Sequence, residues 1–163
     1  MSLFGDLFRW AERPRPAPKL RPEDVWQLSP DVPCAQFLRT LPLLALADGM
    51  VAFEGTIDKQ VARWLATNAS STGPAISAGT VWPASDWWFL PINGPRIGEL
   101  ADLLEDAVSP SIHIFVYDDQ GLVIEWYDAF DEPLWVTRRV GDVALTRFVE
   151  ATGGSLEVVQ PSV

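Results

Sequence analysis

The chain has 163 residues, 48% of them apolar and eight of them tryptophan, which is enough to fill one domain core and excludes disorder throughout. Its formal charge of −10 is unevenly placed: residues 1–21 carry five basic and two acidic side chains, and the remaining 142 carry seven basic and twenty acidic. A body of that sign repels nucleic-acid phosphates and attracts basic surfaces, most of all along Glu99–Glu132, where ten carboxylates occur without one Lys or Arg.

Leu3, Phe4, Leu7, Phe8 and Trp10 recur at helical spacing opposite Asp6 and Arg9, so residues 1–11 read as a short amphipathic segment. It is suited to docking on a membrane or in a partner's groove. Four prolines between Pro14 and Pro22 make the next stretch an extended arm. Residues 1–22 are thus expected to be an anchor and arm, and residues 23–163 a single globular domain.

That domain is expected to open with a helical stretch at Glu23–Leu28. A helix capped by Asp31 follows, carrying Phe37, Leu38 and Leu41 and kinking at Pro42 towards Asp48-Gly49. Met50–Glu54 reads as a buried strand. Gly55-Thr56 is expected to end it and cap a helix through Asn68, with Ile57, Val61, Trp64 and Leu65 inward. Short strands are predicted at Gly79–Trp82 and Trp87–Ile92, then a helix from Pro95 with Ile97, Leu100, Leu103, Leu104 and Ala107 inward.

The clearest pattern is Ser111–Arg139. Ile112, Ile114 and Val116 alternate with His113, Phe115 and Tyr117, and Asp118–Gly121 turns the chain into Leu122–Tyr127. A second turn at Phe130–Pro133 leads to Leu134–Arg139. This register predicts a three-stranded antiparallel meander with Leu122, Ile124 and Trp126 on the face of Ile114. Asp142 is expected to cap a last helix ending at Gly153, and Leu156–Val159 to add an edge strand. The fold class is therefore α+β: an antiparallel or mixed sheet built around the meander at about 111–139, packed against helices on one side as two layers.

The odd-numbered face of the meander groups His113, Phe115, Tyr117, Val123, Glu125, Tyr127, Trp135, Thr137 and Arg139, a mixture more aromatic than a solvated face and more polar than a deep core. Helices cover such a face, or it binds something. Asp128, Asp131 and Glu132 crowd the strand end beside it. Their spacing matches no calcium loop, and one histidine with one cysteine cannot supply the four ligands of a common zinc site. No phosphate-binding glycine loop and no nucleophile elbow is present, and no cofactor is expected. Cys34 at a helix start would have a lowered thiol pKa, with His113 as its one available base.

These features favour a non-enzymatic acidic domain that binds a protein partner with a basic surface, as an immunity or inhibitor-type protein does. The contact residues would be Phe115, Tyr117, Glu125, Tyr127, Asp128, Asp131 and Glu132. A peripheral adaptor docking through Leu3–Trp10, with weak membrane-surface contact from residues 1–21, is the second reading; a carboxylate-based, metal-dependent enzyme is the third. The single cysteine, the charged N-terminus and the lack of any run of about 20 apolar residues point to the cytoplasm.

Overall fold

The computed structural model describes residues 19–56, 58–71, 73–74, 86–104 and 111–159. The amphipathic segment at Leu3–Trp10, the Pro-rich arm before Lys19 and the strand expected at Gly79–Trp82 lie outside them. Among the described residues are four α-helices and one open seven-stranded antiparallel sheet. No helix among them is long and apolar enough to cross a membrane.

In chain order the strands are β1 (Val25–Leu28), β2 (Met50–Glu54), β3 (Trp87–Pro91), β4 (His113–Asp118), β5 (Gly121–Trp126), β6 (Leu134–Thr137) and β7 (Leu156–Val158). The helices are α1 (Cys34–Thr40), α2 (Lys59–Asn68), α3 (Pro95–Leu103) and α4 (Asp142–Thr152). The strands lie in the order β3-β2-β4-β5-β6-β1-β7. The meander β4-β5-β6 forms its centre, and the predicted edge strand is β7.

Period-two alternation sorts the side chains into two faces. One row, Leu90–Val51–Val116–Ile124–Val136–Trp26–Val158, crosses all seven strands and faces the helices over most of its length. The next row, Phe89–Ala52–Phe115–Glu125–Trp135–Gln27–Glu157, lies on the opposite face. All four helices pack on the first face. Phe37 of α1 is the hub: its ring meets Trp126 at 4.8 Å, and Phe130 and Phe148 at 5.9 Å each. Phe37 and Phe148, both fully buried, each stabilise the fold by about 1.5–3 kcal/mol.

Local signals set the helix ends. Asp58, not Thr56, caps α2: its Oδ1 accepts the backbone N–H of Gln60 at 2.8 Å and of Val61 at 2.9 Å. Pro95 sits in the first turn of α3 after Gly94, as expected, and α3 ends at Leu103. Gly153, in the left-handed region at φ +64°, ends α4. Pro33 rather than Asp31 precedes α1, and Gly141 rather than Asp142 is the residue before α4.

Three further expectations are corrected. Glu23–Leu28 is not a helix: a 3-10 turn at Pro22–Asp24 feeds β1, which gains ladder bonds from β6 and β7 on either side, more than an isolated helical turn can make. After α1 the chain continues only as a 3-10 turn, Leu41–Leu44, ended by Ala45 in the left-handed region at φ +52°. Leu122 does not join Ile124 and Trp126. A bulge after Val116 pairs Tyr117 with Leu122, so Val123 enters the main core and Leu122 turns to the other face.

Candidate functional site

The face away from the helices holds most of the side chains singled out from the sequence. His113, Phe115 and Tyr117 project from β4. Glu54 of β2 lies opposite His113, and Glu125 of β5 opposite Phe115. Phe115 packs against Trp87 at 5.5 Å and Tyr127 at 5.4 Å between ring centroids, and Ala52, Phe89, Leu122, Met50 and Leu20 complete a second apolar cluster. Phe115 and Tyr117 are interior to that cluster, and both Glu54 and Glu125 are buried.

The buried carboxylate of Glu125 is fully engaged. Its Oε1 accepts the Tyr127 hydroxyl at 2.7 Å, and its Oε2 accepts the backbone N–H of Leu20 at 3.1 Å. The chain entering β1 is thereby fastened across the sheet, with the Lys19 ammonium 5.2 Å from the centre of the Tyr127 ring. Burial raises both phenol pKa values well above the ordinary tyrosine range. The charges of Glu125 and Glu54 push further in the same direction, and for Tyr127 the hydrogen bond to Glu125 does too. Both phenols are therefore held protonated, and Tyr127 donates its proton to Glu125.

His113 is committed locally. Its Nδ1 accepts the backbone N–H of Asp128 at 3.0 Å, which places the ring proton on Nε2, and its ring meets Tyr127 edge-on at 5.1 Å. It stands on the face opposite Cys34, which is buried among the helix-side core residues. Burial pushes the Cys34 thiol up to about 12, not down, because no cation offsets the desolvation. A Cys–His pair is thus separated by the sheet itself.

The carboxylates at the two ends of the β4–β5 hairpin meet opposite fates. Asp118 takes both terminal nitrogens of Arg139, at 2.5 and 2.7 Å, and the backbone N–H of Gln120 at 2.9 Å. Burial pulls its carboxyl upward, but the Arg139 hydrogen bonds and charge, with the Gln120 and Gly121 amides, hold it below the usual value. At the far end, Asp128, Asp131 and Glu132 are exposed. Neither Asp131 nor Glu132 has a cationic partner among the described residues, and Asp128 lies 3.9 Å from His113 Nδ1.

The loop carrying this acidic lip is tightly tied. The N–H groups of Asp131 and Glu132 both donate to the Asp128 carbonyl, at 2.9 and 3.1 Å, and Ala129 N–H donates to Ile112 O at 2.8 Å. Trp126 Nε1 donates to Glu132 O at 2.6 Å, while the Phe130 ring packs on Trp126 at 4.4 Å. Asp128 and Phe130 both have positive φ, +45° and +76°. For Phe130 that conformation costs about 1–3 kcal/mol, and the surrounding bonds and ring contacts impose it.

The remaining expectations divide. Among the described residues no three His, Cys, Asp or Glu side chains are grouped to hold a metal ion. The strand-to-helix turn at Glu54–Thr56 offers no open helix N-terminus, since Asp58 already occupies the first amides of α2. Glu54, the Lys19–Leu20 crossing and the pairing of Arg139 with Asp118 at the hairpin tip were not read from the sequence. Only Arg138-Arg139, the first cations after a run of 41 residues without one, marked the last of these. No family model, no curated protein and no solved structure matches the chain.

Proposed function

We propose that this protein is a non-enzymatic binding domain whose acidic lip, Asp128, Asp131 and Glu132, occupies a basic surface on a partner protein in the cytoplasm, as an inhibitor or immunity-type protein does. One observation carries the reading: three exposed carboxylates stand on a loop held by backbone hydrogen bonds and ring packing, without the arginine that neutralises Asp118 at the other end of the hairpin. A fixed acidic surface loses little entropy on binding and accelerates encounter with a cationic partner. Phe115, Tyr117 and Glu125 act beneath it, holding Tyr127 against the sheet at the margin of the surface. Nucleic acid is a poor partner for this charge.

The test is association kinetics with a basic protein captured from the host and identified, comparing wild type with Asp128→Asn/Asp131→Asn/Glu132→Gln. The on-rate is expected to fall about tenfold or more at low salt, and the gap to close as ionic strength rises. Association that is indifferent to both the triple substitution and salt overturns the proposal.

A further inference from the structure

His113 is the one histidine in the chain, and so the one side chain whose ordinary titration lies between about pH 5 and pH 8. It stands at the root of the acidic lip. Its Nδ1 accepts the backbone N–H of Asp128 at 3.0 Å, while Oδ1 of the same Asp128 lies 3.9 Å from that nitrogen. The imidazole is only 8% exposed and the Asp128 side chain 61%, so an interior ring supports a carboxylate that faces water.

The bond depends on the protonation state of the ring. A neutral imidazole with its proton on Nε2 offers a lone pair at Nδ1, whereas an imidazolium carries a proton on each nitrogen and only donates. Protonation therefore sets two N–H groups head to head, and the Asp128 amide must leave. The carboxylate 3.9 Å away is then an acceptor close to Nδ1–H, so one residue exchanges a backbone contact for a charge-assisted one. Asp128 is also the pivot of the loop. Its φ is +45°, and its carbonyl accepts the N–H groups of Asp131 and Glu132 at 2.9 and 3.1 Å. A change in how Asp128 is held thus reaches all three lip residues.

The surroundings supply the counter-charges. Glu54 of β2 stands directly opposite His113 on the same face, and Tyr127 meets the ring edge-on at 5.1 Å. Tyr127 donates in turn to Glu125 of β5 at 2.7 Å, and Lys19 lies 5.2 Å from the centre of the Tyr127 ring. On β4 itself the neighbours along this face are Phe115 and then Tyr117, and Ser111 Oγ donates to the His113 carbonyl at 2.8 Å. Glu54 and Asp128 are thus the carboxylates that face an imidazolium at this position.

We propose that His113 is a proton-operated latch on the acidic lip. With the ring neutral, it holds Asp128 by the backbone and leaves three carboxylates outward. Protonated, it releases the amide and draws the Asp128 carboxylate inward, so acidification removes one negative charge from the lip and weakens its attraction for a basic partner. That consequence rests on the reading of the lip as a docking surface; the latch itself does not.

Nuclear magnetic resonance on the isotopically labelled full chain follows the His113 ring and the Asp128 amide from about pH 8 to about pH 5. The ring nitrogens are expected to report the Nε2–H tautomer at the upper end. As the ring gains its second proton, the Asp128 amide should shift with the same midpoint. Its protection from exchange should fall about fivefold, the loss of one ordinary hydrogen bond. In His113→Asn, whose side-chain oxygen accepts but does not titrate, the amide should stay constant over that range. An amide that ignores the ring, a ring that stays neutral throughout, or an amide that still titrates in His113→Asn each overturns the latch. The wild-type titration needs no variant, so it decides the question even where the substitution unfolds the chain.

A decalysine peptide then serves as the basic probe at low salt, at about pH 7.5 and about pH 5.5. Binding should weaken about threefold on acidification in wild type, as the loss of one nearby charge gives, and stay level in His113→Asn. Equal wild-type binding at the two pH values overturns control of the lip by His113. A coupled titration without decalysine binding at either pH supports the latch and overturns the docking reading; binding with an uncoupled amide overturns the latch alone.

Discussion

The two faces of the sheet are built from the same strands and obey the same alternation, yet they enclose different chemistry. Towards the helices the central row Leu90–Val51–Val116–Ile124–Val136 is aliphatic from strand to strand. On the other face the adjacent row begins as Phe89–Ala52–Phe115 and ends as Glu125–Trp135–Gln27–Glu157. The first face therefore supplies a non-directional driving force, and the second adds specified hydrogen bonds to a smaller apolar cluster. That division places structural weight on one side and Glu54, His113, Glu125 and the two tyrosines on the other.

Truncation in the two clusters probes the comparison most strongly. Trp126→Ala should cost about 5 kcal/mol and Phe115→Ala about 3 kcal/mol, opposite ends of the range for large aromatic deletions, measured by urea denaturation. Equal losses would break the distinction between the faces.

Acid provides the next test, at the hairpin tip. Asp118→Asn should lose about 1.5–3 kcal/mol at neutral pH, the range for hydrogen bonds to a charged group. Because the native carboxyl sits below its unfolded value of about 3.9, its contribution is complete above that pH. It is lost as pH falls through the native value, so wild type and variant should converge in acid. A gap that persists in acid would mean that Asp118 contributes through packing rather than charge.

Alkali tests the second face directly, since the chain has only two tyrosines and both lie there. Their native phenol pKa values are raised, so the unfolded chain releases those protons first, and stability should fall as pH rises above the ordinary value. The slope is up to about 1.4 kcal/mol per phenol per pH unit. Ultraviolet titration should show neither phenol ionising near pH ~10 until the protein unfolds; early ionisation would show that Glu125 and burial do not hold them. The smallest effect belongs to the lip, where Asp128→Asn/Asp131→Asn/Glu132→Gln should change stability by no more than about 0.5 kcal/mol.

Much of the fold was legible because its signals are local. The Asp118–Gly121 turn, the alternation in β4, Pro95 at the start of α3 and Gly153 at the end of α4 each carry their own physical reason. What was not legible depends on contacts distant in sequence. Val25–Leu28 becomes a strand because partners lie on both sides, and the bulge that redirects Leu122 is set by its pairing with Tyr117. The candidate site was readable to a similar depth. Exposed carboxylates at Asp128–Glu132 follow from a polar turn, whereas burial of Phe115, Tyr117 and Glu125 required knowing that Leu20, Met50 and Phe89 lie against them.

The position of β1 has a consequence for how the molecule is made. This strand is joined on one side by β6 and on the other by β7, and its ladder to β6 links residues about 110 positions apart. On a ribosome adding about 5–20 residues each second, Val25–Leu28 emerges several seconds before Leu134–Thr137 exists to pair with it. Until then both edges of β1 are open, and its apolar side chains await a core that the last quarter of the chain completes. Synthesis that stalls between these strands would leave a nascent chain with an unpaired strand, a substrate for chaperones or for aggregation.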